Sequence, residues 1–319
     1  MAQTDGESAM TDRCPICSGK TETAPDSPYR RCSQCRHEVR ELDELQSYMI
    51  NDGPHNSGHL GALERFQAKV TRSNSMEKKL LVDFGACFGK FLKSVESDFE
   101  STAGVEITPE CVRFAKDNFG VSLVQDIESV PGIVSTLTFW HSLEHLPVTA
   151  IDKVGRWLAQ HSGPLTRVII SVPNADSFQY AWFRSHYAYW DPENHIHQFS
   201  KKSLTTLGEK LGLVSERVVP SPLYSTFGMI QGLLNLVNPV HNYFYLRMKR
   251  GHSFSESGRI TLFWDAYNVA LIGLIALPAF LLASLDRLFP KRGSVLTMVF
   301  KKKTNTSQTQ LSCGGDVGP

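Results

Sequence analysis

The residues of this chain best suited to proton chemistry fall in two short runs. They are His141-Ser142-Leu143-Glu144-His145 and Asp191-Pro192-Glu193-Asn194-His195-Ile196-His197-Gln198-Phe199. Imidazole, with an unperturbed pKa of about 6.5, takes or gives a proton near neutrality. His145 is the first choice as a base, with Glu144 orienting it or binding the reacting partner, and His141 is second. The plainer alternative is that Glu144 and His145 only cap a following helix. The sharper one is a divalent metal, since His141, Glu144 and His145 with His195 or His197 offer imidazoles and a carboxylate. Trp190 ends, and His195 and His197 follow, an aromatic run from Phe178, dense enough in a polar loop to suggest a pocket wall.

A second constellation speaks of a ligand. Leu80-Leu81-Val82-Asp83-Phe84 reads as a strand running into the turn Gly85-Ala86-Cys87-Phe88-Gly89, which lets a ligand approach the backbone at the carboxyl end of a strand. Seventeen residues past Gly89, a second apolar strand ends at Glu106, where a carboxylate suits the two hydroxyls of a ribose. A dinucleotide fingerprint needs a second glycine where the backbone meets a pyrophosphate. Cys87 fills that place and no GxGxxG exists, which favours S-adenosylmethionine over NAD. Asp83, Gly85, Gly89 and Glu106 are the expected cofactor contacts.

Cys14-Pro15-Ile16-Cys17 and Cys32-Ser33-Gln34-Cys35 form a third. Two CxxC knuckles supply four thiolates for a tetrahedral structural zinc, and a closed four-sulfur shell leaves no open catalytic position. A redox CxxC fits less well, because there are two and neither opens a helix.

The elements that must position these groups alternate. Strands are expected at 80–84, 102–106, 121–124, 135–139, 167–172 and 214–219, with a last one from Ser294 to Phe300. Helices are expected near 59–72, 89–97, 109–118, 149–161 and 202–211. The organisation is a polar tail at 1–12, the cysteine module at 13–40, a connector and helix at 41–79, a core at 80–222, an insertion at 223–292, the last strand at 293–302 and a tail at 303–319.

Taken in order, Asp83 to Gly89, Gly104-Val105-Glu106, His141 to His145, Ser171-Val172-Pro173-Asn174-Ala175, and Asp191-Pro192 with His195 to Ser200 resemble the class I S-adenosylmethionine-dependent methyltransferases. The likeness is greatest to the bacterial branch with a Leu-Glu-His motif and covers roughly residues 60 to 220. It departs at Cys87, where most relatives have glycine. It implies an α/β fold with a Rossmann-like seven-stranded sheet, beside a small zinc ribbon and with a hydrophobic helical insertion between the last two strands. It also implies that Asp126 contacts the adenine, the plainer alternative being a helix N-cap. The implied reaction is methylation of oxygen or carbon on a small or lipid-linked acceptor, such as a glycan, sugar-nucleotide or quinone-like precursor. Two alternatives stand beside it: a non-catalytic cofactor-binding and docking protein, and an RNA-modifying enzyme.

Charge and hydropathy narrow the partners. A formal net charge of +1 supplies no global field for nucleic acid, so none is expected as a partner. The first residues lack a basic and apolar leader, and the paired cysteines read as metal ligands in a reducing cytoplasm. Val269 to Leu285 is seventeen residues without a charge, at the short limit for a spanning helix. Strands before and after it belong to one sheet, so a single crossing is excluded. A re-entrant hairpin turning at Pro278, a pair of crossings, an interfacial helix and a buried lid remain. With Lys291, Arg292 and Lys301 to Lys303 nearby, the expectation is peripheral or monotopic contact with an anionic inner-membrane surface.

Overall fold

The computed structural model describes residues 12–23, 27–40, 61–250 and 259–303. The expected tails and the connector up to residue 60 lie almost wholly outside the described residues.

In chain order the strands are β1 (Thr21–Thr23), β2 (Arg30–Cys32), β3 (Glu38–Val39), β4 (Leu80–Phe84), β5 (Ser101–Val105), β6 (Leu123–Val124), β7 (Val134–Trp140), β8 (Ser162–Pro173), β9 (His197–Gln198), β10 (Leu213–Val219) and β11 (Val295–Lys302). The helices are α1 (Ala62–Asn74), α2 (Lys90–Val95), α3 (Pro109–Phe119), α4 (Val148–His161), α5 (Phe178–Phe183), α6 (Lys201–Lys210), α7 (Pro222–Asn235), α8 (Tyr243–Arg250) and α9 (Arg259–Ala283).

Seven strands form the main sheet in the order β10-β11-β8-β7-β4-β5-β6. β8, β7, β4, β5 and β6 run parallel, while β11 lies antiparallel between β8 and β10. Every residue of β7 is buried, as a central strand covered on both faces requires. Helix α4 buries Ile151, Val154, Trp157 and Leu158, one stripe at helical spacing, against that sheet. Pro109 opens α3 at its first turn, and Thr108 makes no side-chain cap there. The order reverses beside β4 and β7, so ligands belong at the carboxyl ends of these strands.

Four differences from the sequence reading have physical causes. The strand expected at 121–124 shortens to the edge pair Leu123–Val124, bonded to β5 alone. The helix expected at 89–97 tightens to a 3-10 turn after Val95. The aromatic run holds a helix, α5, capped by Ser177 through the amide of Tyr180. Pro278 does not turn a hairpin; it lies inside α9, which runs through it.

The cysteine module is not a separate appendage. Its strands form a second sheet, β1-β2-β3-β9, whose last strand comes from the histidine-rich segment of the main domain. Ser200 Oγ donates to the Cys35 carbonyl, and the Arg40 guanidinium bonds the Pro192 carbonyl across the same seam.

Candidate active site

The glycine turn follows β4. Gly85 has φ +78°, and a Cβ there would lie 2.4 Å from the Ser142 Cβ, so only glycine fits. The turn therefore rests directly on the His141–His145 run, and Ser142 Oγ donates to the Phe84 carbonyl at 2.6 Å. Gly104 in β5 is equally confined, with Leu92 and Leu123 side chains 2.5 Å from where its Cβ would sit. Cys87 takes φ +47°, a left-handed conformation costly for any side chain but glycine. It is exposed.

Glu106 stands at the end of β5, as expected for a ribose contact. Its oxygens accept from the amides of Cys87 at 2.9 Å and Thr108 at 2.8 Å, so the carboxylate is aimed along the turn. Asp83 is buried, bonded by the Thr138 hydroxyl at 2.6 Å. Burial, reinforced by the Glu106 charge, pushes its carboxyl up to about 7. Asp126 caps the turn Ile127–Ser129 through the Glu128 amide and pairs with Lys153, which holds it below the ordinary value. Its local geometry is that of the N-cap alternative.

The histidine runs converge. Glu144 is fully buried, and a ring nitrogen of His145, one of His195 and a Glu144 oxygen all lie within 4.8 Å of one another. His141 Nδ1 is 3.3 Å from Glu144 Oε1. Burial alone would raise the Glu144 carboxyl, but the imidazoles of His141, His145 and His195 bring it below the ordinary value. Burial, with His145 alongside, lowers His195 to about 4. The His145 Nδ1 contacts the Asn194 carbonyl at 3.0 Å. A carbonyl only accepts, so Nδ1 carries the hydrogen. His141 sits at φ +55° between Tyr189 and Tyr224, strained backbone of the kind concentrated at functional sites.

His197 does not join this cluster. It is completely buried against the cysteine module, where burial pushes it to about 4. Its Nε2 donates to the Leu146 carbonyl and its Nδ1 accepts from His37 Nε2, both at 3.0 Å. It therefore clasps module to domain rather than lining a pocket. Trp190 is half-buried between Tyr29 and Tyr180. Tyr29 holds the His195 carbonyl through its hydroxyl at 3.0 Å, so the module positions one member of the cluster.

Sequence reasoning missed Tyr29 and Tyr224, while Tyr189 belongs to the aromatic run read as a pocket wall. Tyr224 belongs to α7, assigned from sequence to an insertion outside the core, yet its ring lies 4.9 Å from His141. Gln67 of α1 donates to its hydroxyl at 3.2 Å. A tyrosine two residues after the opening proline of an amphipathic segment was the only available signal.

The four cysteine sulfurs lie within 4.8 Å of one another, with Cys14 to Cys35 at 3.6 Å and Cys17 to Cys32 at 3.4 Å. Zinc–sulfur bonds of about 2.3 Å in a tetrahedron place sulfurs about 3.8 Å apart, so the set fits that ion. The hydrogen bond from Cys35 lowers the Cys14 thiol to about 5, toward the thiolate a metal takes.

Residues 62–218 match a family model described as "Methyltransferase domain". This stretch, just under half of the chain, carries the glycine turn and both histidine runs. Solved structures that match include DesVI of Streptomyces venezuelae, at 21% identity over 34% of this chain and 48% of that one, TM-score 0.30. A second is an S-adenosylmethionine-dependent methyltransferase from Clostridium acetobutylicum, at 10% identity over 76% and 91%, TM-score 0.42. A third is magnesium protoporphyrin IX methyltransferase from Synechocystis, with bound S-adenosylmethionine, at 16% identity over 51% and 72%, TM-score 0.36. The chain spans about half the length of the first of these, 48%. No curated protein matches the chain.

Proposed function

We propose that the chain transfers the methyl group of S-adenosylmethionine to an oxygen or carbon of a small or lipid-linked acceptor. One observation carries this reading: the glycine turn that would cradle the cofactor touches, through Gly85 and Ser142, the run bearing His141, Glu144 and His145. Methyl donor and acceptor-activating groups then meet at one sheet edge. In the reaction the acceptor attacks the methyl carbon, the new bond forms as the sulfur–carbon bond breaks, and S-adenosylhomocysteine leaves. The acceptor's proton passes to the imidazoles of the cluster. Asp83, Gly85, Gly89 and Glu106 bind the cofactor, Glu106 taking the ribose hydroxyls. His145 acts on the acceptor, and Trp190 and His195 stand on the acceptor side. A structural zinc on Cys14, Cys17, Cys32 and Cys35 supports the module that positions His195.

The acceptor's lipid character rests on α9. It has 25 residues, so it is about 37 Å long. Its pattern is inside out for a water-exposed helix. Asn268 is buried and exchanges amide hydrogen bonds with Asn238 at 2.9 and 3.0 Å, while Leu274, Leu277 and Leu281 are 74%, 68% and 60% exposed. An apolar face of this extent is expected to lie on a bilayer. Because β10 and β11 are sheet neighbours, both ends of the insertion stay on one side. The working site is then the cytoplasmic face of a membrane. Incubation of the full chain with methyl-labelled cofactor and separate lipid and soluble extracts tests the reading. Label should move into an extractable lipid or small molecule; absence of transfer from a protein that binds the cofactor would leave only a docking role.

A further inference from the structure

We propose that Cys87 and Cys111 are a reversible thiol–disulfide pair, closed by a hydroperoxide, and that closure weakens S-adenosylmethionine binding; this rests on the methyltransferase reading of the same turn. Among the described residues they are the two cysteines outside the four-sulfur set of the module.

The turn and the start of α3 face each other residue by residue. Phe88 meets Phe114 edge to face, with ring centres 5.0 Å apart. Gly89 lies so close to the helix that a Cβ there would stand 3.2 Å from the Ala115 side chain. Cys111, Phe114 and Ala115 are spaced i, i+3 and i+4, one face of α3. Cys87, the residue before Phe88, falls opposite Cys111 in this register, and the two thiols are hydrogen-bonded to each other. That contact, with burial, raises the Cys111 thiol, so Cys111 keeps its hydrogen and donates it to the Cys87 sulfur. A hydrogen bond to sulfur favours the thiolate, which is the nucleophilic form. Cys87 is exposed while Cys111 is buried, so an oxidant in solution reaches Cys87 first. An accessible cysteine with a resolving cysteine beside it is the arrangement that oxidises reversibly.

With hydrogen peroxide, the Cys87 thiolate attacks one oxygen, the oxygen–oxygen bond breaks, and a sulfenic acid and water form. The Cys111 sulfur then attacks the Cys87 sulfur. The sulfur–oxygen bond breaks, and the hydroxide leaves as water with the Cys111 proton. The two sulfurs lose two electrons, the peroxide gains them, and both thiol hydrogens end in water. A dithiol reverses the step by exchange and becomes the disulfide itself.

Glu106 connects the pair to the cofactor. Its oxygens accept from the Cys87 amide on the turn and from the Thr108 amide at the head of α3. Closing the disulfide draws two contacting sulfurs to bonding distance, so turn and helix shift toward each other. That shift carries both amides off their places on the carboxylate. Glu106 takes the ribose hydroxyls in the proposed reaction, so its aim is what oxidation spoils.

The test is titration calorimetry of the full chain with S-adenosylmethionine, first reduced by a dithiol and then after hydrogen peroxide, with tryptic peptide mapping of the same samples. Cleavage after Lys79, Lys90, Lys93 and Arg113 separates the two cysteines. The oxidised pair should therefore appear as residues 80–90 joined to 94–113, lighter than the sum of the two peptides by two hydrogens. Affinity should fall at least about tenfold, the scale of a lost charge-assisted hydrogen bond, and return with dithiol. Cys111→Ser should bind as reduced wild type does and lose nothing on oxidation. Cys87→Ser, at an exposed position, asks the same question without touching the core. No joined peptide, or a joined peptide with affinity unchanged, overturns the proposal. So does a loss that persists in both serine variants, which would trace it to the module's cysteines. Reduced wild type that binds no S-adenosylmethionine would strike the methyltransferase reading and the switch with it, while the joined peptide would still decide the pair.

Discussion

Asp83→Asn should make the protein more stable above neutral pH and a poorer binder of its cofactor. The buried Asp83 carboxyl titrates at about 7, first because burial penalises its charge and then because Glu106 lies near. In the unfolded chain an aspartate titrates at about 3.9. The folded state therefore holds the extra proton between these values. The stability that this proton contributes is complete below about pH 4 and is lost as pH rises through about 7. Roughly three units at about 1.4 kcal/mol each amount to about 4 kcal/mol of penalty at pH 8. Asparagine removes the charge and keeps an oxygen for the Thr138 hydroxyl, now 2.6 Å from Asp83 Oδ1. Urea unfolding of both proteins from pH 5 to 8.5 measures the difference. It should be small at pH 5 and grow by a few kcal/mol by pH 8. S-adenosylmethionine carries a sulfonium and an ammonium, so its binding near pH 7 should expel a proton from the wild type and not from the variant. A stability difference that stays flat across this range would refute the assignment of a high Asp83 pKa.

The other expectations follow from the same edge of the sheet. His145→Ala should lower turnover by about 10²–10⁴-fold, with affinity for S-adenosylmethionine, measured by calorimetry, nearly unchanged. Cys14→Ser, or chelation of a zinc held by the module's four cysteines if one is bound, should lower turnover far more than cofactor affinity, because β3 pairs with β9 and Tyr29 holds His195. Elemental analysis and single-turnover rates check this together. Replacing Leu274, Leu277 and Leu281 of α9 by glutamate should release the protein from anionic liposomes in a flotation gradient, since all three are exposed. Flotation of the triple variant to the same fraction as wild type would mean that α9 does not hold the membrane.

The parallel core was legible because its strands are buried on both faces. Val134 to Trp140 is rich in β-branched and aromatic residues without a charge, and the carboxyl end of such a strand is where Glu144 and His145 had to fall. Glu106 was legible for the same reason, at the end of the strand after the glycine turn. What stayed hidden depends on pairing at long range. Nothing local in His197-Gln198 announces that it will become the fourth strand of the cysteine module's sheet, so His197 read as a pocket residue when it is a clasp to His37. Tyr29 and Tyr224 reach the site from elements about 115 residues before and 80 after His145 along the chain, a distance that periodicity does not bridge. The left-handed backbone of His141 was not read from sequence, because positive φ is uncommon for any residue but glycine. The inverted pattern of α9 appeared only once Asn268 was seen facing Asn238, with the leucines facing out.

The central claim is tested most directly by calorimetric titration of the full chain with S-adenosylmethionine and, separately, with NAD. The account predicts one molecule of S-adenosylmethionine per chain, no comparable binding of NAD, and affinity lowered at least about tenfold in Glu106→Ala, the loss of a charge-assisted hydrogen bond worth about 1.5–3 kcal/mol. Wild-type protein that binds no S-adenosylmethionine, or that prefers NAD, would contradict it.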